Sequence, residues 1–210
     1  MLRISFELFL LATVLSLITT PALSANPSDC GEASHCEALD LHNQVRTNLN
    51  AGRLPNSPTP NPPVEMLVYD KALALTAYHW SATQCTARRG HNPQRREHFI
   101  NNGGNAAHPW VGENIYFASE RLSDIDALTR AVAAWAAEAK DYRYQPFKAT
   151  ETGHYSQLIW DTIDTIENGK KVARAVGCGV YRCEKGQYKT IVTCNYAPGG
   201  NIHGVVPYRI

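Results

Sequence analysis

The sequence predicts an α+β fold in which helices cover an antiparallel sheet. In three separate segments, apolar residues recur every three or four positions, which is typical of amphipathic helices. Nearer the C-terminus the pattern changes to runs rich in β-branched and aromatic residues, which is typical of strands. The sequence contains no internal repeat, and its 210 residues permit one domain or at most two small ones.

The first predicted helix extends from Cys36 to about Gly52. Its apolar residues recur at spacings of three and four, at Ala38, Leu41, Val45 and Leu49. A proline-rich segment follows at 54–63, where proline fixes φ and removes backbone donors. One short helix cannot bury its apolar face alone, so we interpret this segment as a surface loop and not as a linker between domains.

Two further helices are predicted farther along the chain. Asp70 is the expected N-cap of the second helix, whose apolar stripe contains Leu73, Ala77 and Trp80. Ser123 and Asp126 resemble a capping box that starts the third helix, whose apolar positions are Ile125, Leu128, Val132, Trp135 and Ala139. The stretch from Thr86 to Gly112 lacks periodicity and is predicted to be a long irregular loop, which is uncommon unless it serves a function.

The last predicted element is a β-hairpin. Its strand candidates are Val172 to Cys183 and Tyr188 to Tyr196, with a glycine-containing turn at 184–187 between them. Helices early in the chain and paired strands late in it favour the α+β class over alternating units with a parallel sheet.

The charge balance excludes one class of partner. The chain has 20 Lys and Arg residues against 19 Asp and Glu residues, which leaves a formal charge of +1. Nucleic-acid binding needs a concentrated surplus of positive charge on one face, so we expect no nucleic-acid partner.

The N-terminus predicts export. Arg3 precedes an apolar run from Leu8 to Ile18 that is too short to span a bilayer, and small residues follow at Ser24 and Ala25. We predict a cleaved signal peptide at 1–25 and a secreted protein without a stable membrane anchor, extracellular or, in a bacterium, periplasmic. All six cysteines follow this segment, and an oxidising compartment predicts three disulfides, whose pairing the spacing leaves open.

Four short segments carry the most specific information in the sequence: Leu41–Arg46, Gly112–Tyr116, Thr152–Trp160 and Val192–Asn201. In this order they resemble the signatures of the CAP superfamily, which includes cysteine-rich secretory proteins, insect venom antigens and plant class 1 pathogenesis-related proteins. Ser156 stands where the family usually has Thr, so the hydroxyl is kept. The resemblance places a CAP (SCP) domain at 36–204, an N-terminal extension at 26–35 and a C-terminal tail at 205–210.

The resemblance implies a three-layer α-β-α sandwich with a central antiparallel sheet, stapled by disulfides. It pairs the cysteines as Cys178 with Cys194, Cys85 with Cys183, and Cys30 with Cys36. The first pair would join the two strands of the predicted hairpin, and the second would tie the second helix to the sheet.

The resemblance also implies a cleft with two histidines and two glutamates. The matching residues are His91, Glu113, Glu138 and His154, with His98 and His108 as alternatives to His91. Two neutral imidazoles suit a divalent metal such as zinc, which we do not expect folding to require. The alternative is a structural cluster, in which Glu138 holds His154 by a hydrogen bond and Glu113 caps a turn.

Three functional hypotheses follow from the resemblance and the residues. The first is a sterol or other lipid binder that uses the aromatic residues Tyr142, Tyr144 and Phe147. The second is an interaction protein in defence or host modulation that binds a protein partner through its surface loops. The third is a hydrolase that uses Ser156 with His154 and a glutamate, or a metal-bound water. We expect a monomer or a weak dimer.

Overall fold

A computed structural model describes residues 30–149 and 151–210 of the chain. The predicted signal peptide and the first residues of the N-terminal extension lie outside the described residues. The helices are α1 (Ala33–Asn50), α2 (Lys71–Thr83), α3 (Arg95–Asn101), α4 (Asp124–Ala137) and α5 (Gly153–Leu158). A 3-10 turn at Glu138–Lys140 continues α4. The strands are β1 (Val68–Tyr69), β2 (Gly112–Ala118), β3 (Thr165–Glu167), β4 (Lys170–Val172), β5 (Ala175–Arg182) and β6 (Thr190–Ala197).

The central sheet has the strand order β1-β5-β6-β2. Its three long strands pair antiparallel, and the two-residue β1 pairs parallel with β5 at one edge. Helix α2 covers one face of this sheet, and α1 and α4 pack together on the other face. The α+β class that the sequence pattern predicts and the three layers that the resemblance implies are therefore confirmed.

The predicted helix starts are confirmed to within a few residues. The Asp70 carboxylate accepts a hydrogen bond from the Leu73 N–H at 2.9 Å, and Ser123 accepts one from the Asp126 N–H at 3.1 Å. Helix α1 begins at Ala33, three residues before the predicted start. Placing Ile125 on the apolar stripe of α4 is wrong, because its side chain lies on the solvent-facing side of the helix and is exposed.

The stretch from Thr86 to Gly112 is not wholly irregular, which corrects the prediction. It contains α3, whose Phe99 is completely buried beside Leu73 of α2 and Val111. Seven residues make only two turns, so the helix carries too short an apolar repeat to be recognised by its period. The hairpin is confirmed as β5 and β6, except that Val172 belongs to the separate pair β3-β4.

The three disulfides have the pairings that the family resemblance implies. Cys178 and Cys194 occupy directly opposed positions of β5 and β6, and their bond lies in the core between the sheet and α1. Cys85 and Cys183 join the end of α2 to the end of β5 across 98 residues. Cys30 and Cys36 close a small loop at the start of α1. A staple across a long loop restricts the unfolded chain most.

The C-terminal end of the described domain is held in place. Tyr208 is buried in the main core, and its hydroxyl donates to the Pro58 carbonyl at 2.9 Å. The predicted C-terminal tail at 205–210 therefore packs on the domain. Within residues 30–149 and 151–210, no helix is both long enough and apolar enough to cross a membrane.

Helix α2 lies directly against the backbone of β5, because the two strand positions beneath it are glycines. A Cβ atom added to Gly177 would lie 2.2 Å from the Ala74 nitrogen, and one added to Gly179 would lie 2.3 Å from the Tyr78 nitrogen. Any larger side chain would separate this helix from the sheet.

We therefore expect Gly179→Ala to lower the free energy of unfolding by about 1–3 kcal/mol, the usual cost of overpacking a core. Urea unfolding measures the change. Gly153→Ala is the matched control, because a Cβ there would meet only the Asn201 amide at 3.7 Å. Equal stability of the two variants would contradict the close packing of α2 on β5.

Candidate functional site

A cleft of about 590 Å³ opens where the start of β2, the start of α5 and two loops come together. Its lining combines two histidines, two aromatic rings and several polar side chains. The residues are His91, Arg95, Trp110, Gly112, Glu113, Asn114, Phe147, Ala149, Glu151, Gly153, His154, Gln157, Gly200 and Asn201. Three of the four predicted metal-site residues, His91, Glu113 and His154, are among them, and the fourth, Glu138, lies behind His154.

His91 and Glu113 form the first histidine–carboxylate pair of the cleft. The His91 Nδ1 lies 2.9 Å from Glu113 Oε1, and the same oxygen accepts a hydrogen bond from the Asn92 N–H at 2.9 Å. The other oxygen, Oε2, accepts from Asn195 Nδ2 at 3.3 Å. The Glu113 side chain is 1% exposed and that of His91 59% exposed, so a fixed carboxylate orients a solvent-facing ring.

His154 and Glu138 form the second pair. The His154 Nδ1 lies 2.6 Å from Glu138 Oε1, and Glu138 Oε2 accepts from the Tyr155 N–H at 3.0 Å. The imidazole also stacks on Trp135 of α4, with 6.0 Å between the ring centroids. Glu138 follows directly after α4, so α4 and the 3-10 turn that continues it together fix the His154 ring.

The backbone of His154 is tied to α1 by a chain of buried hydrogen bonds. Asn114 of β2 donates to the His154 carbonyl at 3.1 Å and to the Tyr196 hydroxyl at 3.2 Å. That hydroxyl lies 2.9 Å from His42 Nε2, and His42 Nδ1 lies 2.6 Å from the Ala38 carbonyl. In the neutral imidazole with the proton on Nδ1, the ring donates to the carbonyl and Nε2 accepts from the Tyr196 hydroxyl, so both ring nitrogens have a partner.

Arg46, one turn further along α1, fixes the other end of α5. Its Nη1 donates to the carbonyls of Leu158 and Trp160 at 2.9 and 3.2 Å, and its Nη2 pairs with Asp161 at 2.5 Å. Burial lowers the pKa of Arg46 to about 10, an effect that Asp161 opposes. The guanidinium remains charged at neutral pH and satisfies carbonyls at the end of a short helix.

Comparison with known proteins gives the same assignment as the four sequence segments. The profile of the cysteine-rich secretory protein family (CAP) matches residues 39–196. The chain belongs to this family.

Several relatives align over most of the CAP chain. Venom allergen 5 of Microctonus hyperodae is 34% identical over 189 residues, which cover 84% of this chain and 72% of the relative. GLIPR1-like protein 1 of Bos taurus is 29% identical over 200 residues, which cover 92% and 70%. The solved structure of BmVAL-1 superimposes with a TM-score of 0.55 at 23% identity, over 83% of this chain and 81% of that one. It supports the fold.

The alternative histidines lie apart from the CAP cleft. His98 on α3 contacts Asn92 Nδ2 at 3.1 Å, and the buried His108 contacts Thr165 Oγ1 at 2.8 Å. Neither residue lines the cleft. Of the three candidate histidines, His91 is the one that lines the cleft, where it contacts Glu113.

Outside the cleft, three potential metal ligands lie close to one another. His42, Cys178 and Cys194 bring ligand atoms within 4.8 Å of one another, and no other such group occurs among the described residues. Both sulfurs belong to one disulfide, so they lack the thiolate that a metal would bind. The four predicted cleft residues form two separate pairs and not one closed cage.

Ser156 does not have the surroundings of a nucleophile. Its buried hydroxyl contacts the Gly153 carbonyl at 3.1 Å and Asn201 Oδ1 at 2.6 Å. His154 directs its Nδ1 to Glu138 instead. The serine therefore ties α5 to the loop after β6, and the Ser–His contact that a catalytic triad requires is not formed.

The predicted lipid-contacting aromatics differ in their exposure. Tyr142 is 4% exposed and packs edge-to-face on Tyr155 in the core. The Tyr144 hydroxyl donates to the Tyr208 carbonyl at 2.6 Å. Phe147 lines both the cleft and a neighbouring cavity of about 370 Å³.

The sequence did not single out several cleft residues as functional: Arg95, Trp110, Gln157 and Asn201. Gln157 and Asn201 lie inside two of the four family signatures, and this location could have identified them as candidates. Arg95 and Trp110 lie in the segment that was predicted to be irregular, so only the fold brings them to the cleft.

The buried His42 makes the stability of the domain depend on pH. Burial lowers its pKa from 6.5 to about 4. The unfolded chain therefore binds more protons than the folded one between these values, and stability falls as the pH drops through them. We expect a loss of about 3 kcal/mol from this residue between pH 7 and pH 4.

Urea unfolding across this pH range, compared between the wild type and His42→Gln, measures the effect. The variant should be less stable at pH 7 but should have a shallower pH dependence. His79→Gln, at an exposed histidine on α2, should retain the wild-type slope. The same slope in His42→Gln would show that His42 does not control acid sensitivity.

Proposed function

We propose that this CAP protein is an exported binding protein whose cleft holds a divalent metal ion such as zinc. The observation that carries the proposal is that two histidines line one cleft and that the Nδ1 of each is hydrogen-bonded to a glutamate carboxylate. Such a contact fixes the Nδ1–H tautomer and leaves the Nε2 lone pair for a metal.

The chemical types of the available donor atoms suit zinc. Neutral imidazole nitrogens are common zinc ligands, and a carboxylate behind each ring is the usual outer-shell partner. His91 and His154 would supply the protein ligands, while Glu113 and Glu138 would orient them. Two protein ligands are fewer than the three of typical catalytic zinc sites, so we expect modest affinity and solvent or ligand atoms in the remaining positions. A metal ion held there would supply Lewis acidity.

We expect His91→Ala and His154→Ala each to weaken zinc binding at least about tenfold, because each removes one ligand. Glu138→Gln should weaken it by roughly 10- to 100-fold, since it loses the charge that orients His154. Competition with a chromophoric chelator measures the affinities.

His79→Ala is the matched control, because this exposed histidine lies on α2 and outside the cleft. Wild-type zinc affinity in a protein that lacks both His91 and His154 would refute the proposed metal site.

A second candidate function is the binding of a sterol or other lipid. The cavity of about 370 Å³ beneath residues 141–148 favours it, since Phe147 forms a wall shared by this cavity and the cleft. The Phe147 N–H donates to the Val205 carbonyl at 2.8 Å, which fixes the main chain, and the ring packs edge-on against Trp160. Tyr142 and Tyr144 would support this wall from within the domain.

We expect Phe147→Ala to reduce the retention of labelled cholesterol by at least about tenfold, the usual cost of removing an aromatic anchor. Tyr144→Phe is the control, because it removes the hydrogen bond to Tyr208 and keeps the ring. Failure of the wild-type protein to retain cholesterol at about micromolar concentration would remove this candidate.

A further inference from the structure

Arg95 brings a positive charge into the cleft that no acidic side chain pairs with. It is the first residue of α3, and its guanidinium donates from Nε to the Val111 carbonyl at 2.5 Å and from Nη1 to the Asn92 carbonyl at 2.8 Å. Among the residues that the structure describes, it forms no ion pair. The two carbonyls fix its direction without neutralising its charge.

The carboxylates of the two histidine pairs are already engaged. Glu113 accepts from Asn92 and Asn195 and contacts His91, and Glu138 contacts His154 and the Tyr155 N–H. Glu151 lines the same cleft but is exposed to solvent. Burial lowers the pKa of Arg95, whereas the negative charge of Glu113 raises it. The partly desolvated guanidinium therefore has a charge that an incoming anion can satisfy.

A large aromatic surface lies directly beside this charge. The Arg95 guanidinium carbon stands 4.8 Å from the centroid of the Trp110 ring, which is the geometry of a cation–π contact. Trp110 is nevertheless 47% exposed, which is unusual for so large a ring. Part of its exposed surface lines the cleft.

The loop after β6 fixes the Trp110 backbone and lies against one edge of its ring. The Gly199 N–H donates to the Trp110 carbonyl at 2.9 Å, and a Cβ atom added to Gly199 would lie 2.4 Å from Trp110 Cδ1. Phe147 contributes a second ring to the same lining. A site with one directed cation and two packed rings is organised before any ligand arrives, which lowers the entropic cost of binding.

We propose that the cleft binds an aromatic carboxylate, with the carboxylate on Arg95 and the ring against Trp110 and Phe147. The inference rests on the proposed function in one respect, namely that the same cleft is the ligand site. A planar guanidinium matches the two oxygens of a carboxylate, and the flat rings match an aromatic group. The cleft volume lies in the range of small-molecule sites.

The probes that test this are 3-phenylpropanoate and its neutral amide, 3-phenylpropanamide. Binding to the full-length exported chain with its disulfides intact is measured by calorimetry, once in excess EDTA and once with zinc. We expect the acid to bind at least about tenfold more tightly than the amide, because only the acid forms a charge-assisted hydrogen bond. Inorganic phosphate, which has charge but no ring, should bind more weakly than the acid.

The variants separate Arg95 from general effects of charge. Arg95→Gln should weaken binding of the acid at least about tenfold and should bring acid and amide to similar affinities. Arg96→Gln is the matched control. Arg96 is the next residue of α3 and also donates to two backbone carbonyls, those of His108 and Ala106, but it does not line the cleft. Its loss should leave binding unchanged.

The outcomes are distinct. Equal affinity of the wild type for acid and amide, wild-type affinity in Arg95→Gln, phosphate binding as tight as that of the acid, or no binding at about millimolar probe would each overturn the inference. If Arg95→Gln does not fold, the comparison of acid, amide and phosphate on the wild type still decides. Arg95-dependent binding in EDTA together with an absence of zinc binding would refute the proposed metal site alone. Zinc binding through both histidines without Arg95-dependent binding would refute this inference alone.

Discussion

The structure depends on a short chain of buried hydrogen bonds that passes through the core from α1 to α5. His42, Tyr196 and Asn114 carry it, and it ends on the His154 carbonyl. Each of these polar groups is withdrawn from water, so each would cost free energy if its partner moved away. Apolar packing alone tolerates small shifts between layers, but this chain fixes one arrangement of α1, the sheet and α5.

The same constraint determines the geometry of the cleft. His154 receives its backbone position from Asn114 of β2 and its ring orientation from Trp135 of α4 and from Glu138, which follows α4. Across the cleft, His91 is oriented by Glu113 of β2, the strand that also carries Asn114. One strand therefore sets the relative placement of both histidines. Arg46 completes the support by fixing the end of α5.

The family signatures can be explained by the groups they satisfy. Asn43 pairs with both backbone groups of Leu67, while its neighbours His42 and Arg46 serve the sheet and α5. Gln157 accepts from the Gly200 N–H at 3.0 Å, and no Cβ fits at Gly112 beside it. These side chains are mainly internal connectors. Some side chains that line the cleft, such as Glu113 and His154, lie within the signatures, whereas others, such as Arg95, lie between them.

The sequence by itself determined the three long helices and the hairpin, and the family resemblance implied the three layers, the disulfide pairs, His154, Glu113 and Glu138, with three candidates for the second histidine. These depend on local periodicity, capping and short signatures, all of which are contained in neighbouring residues. Tertiary structure alone decided that α3 forms around Phe99, that Ile125 is exposed, and that Arg95 and Trp110 meet in the cleft. A contact between residues distant in sequence leaves no local pattern, because the two residues meet and stabilise the fold only when the layers pack together.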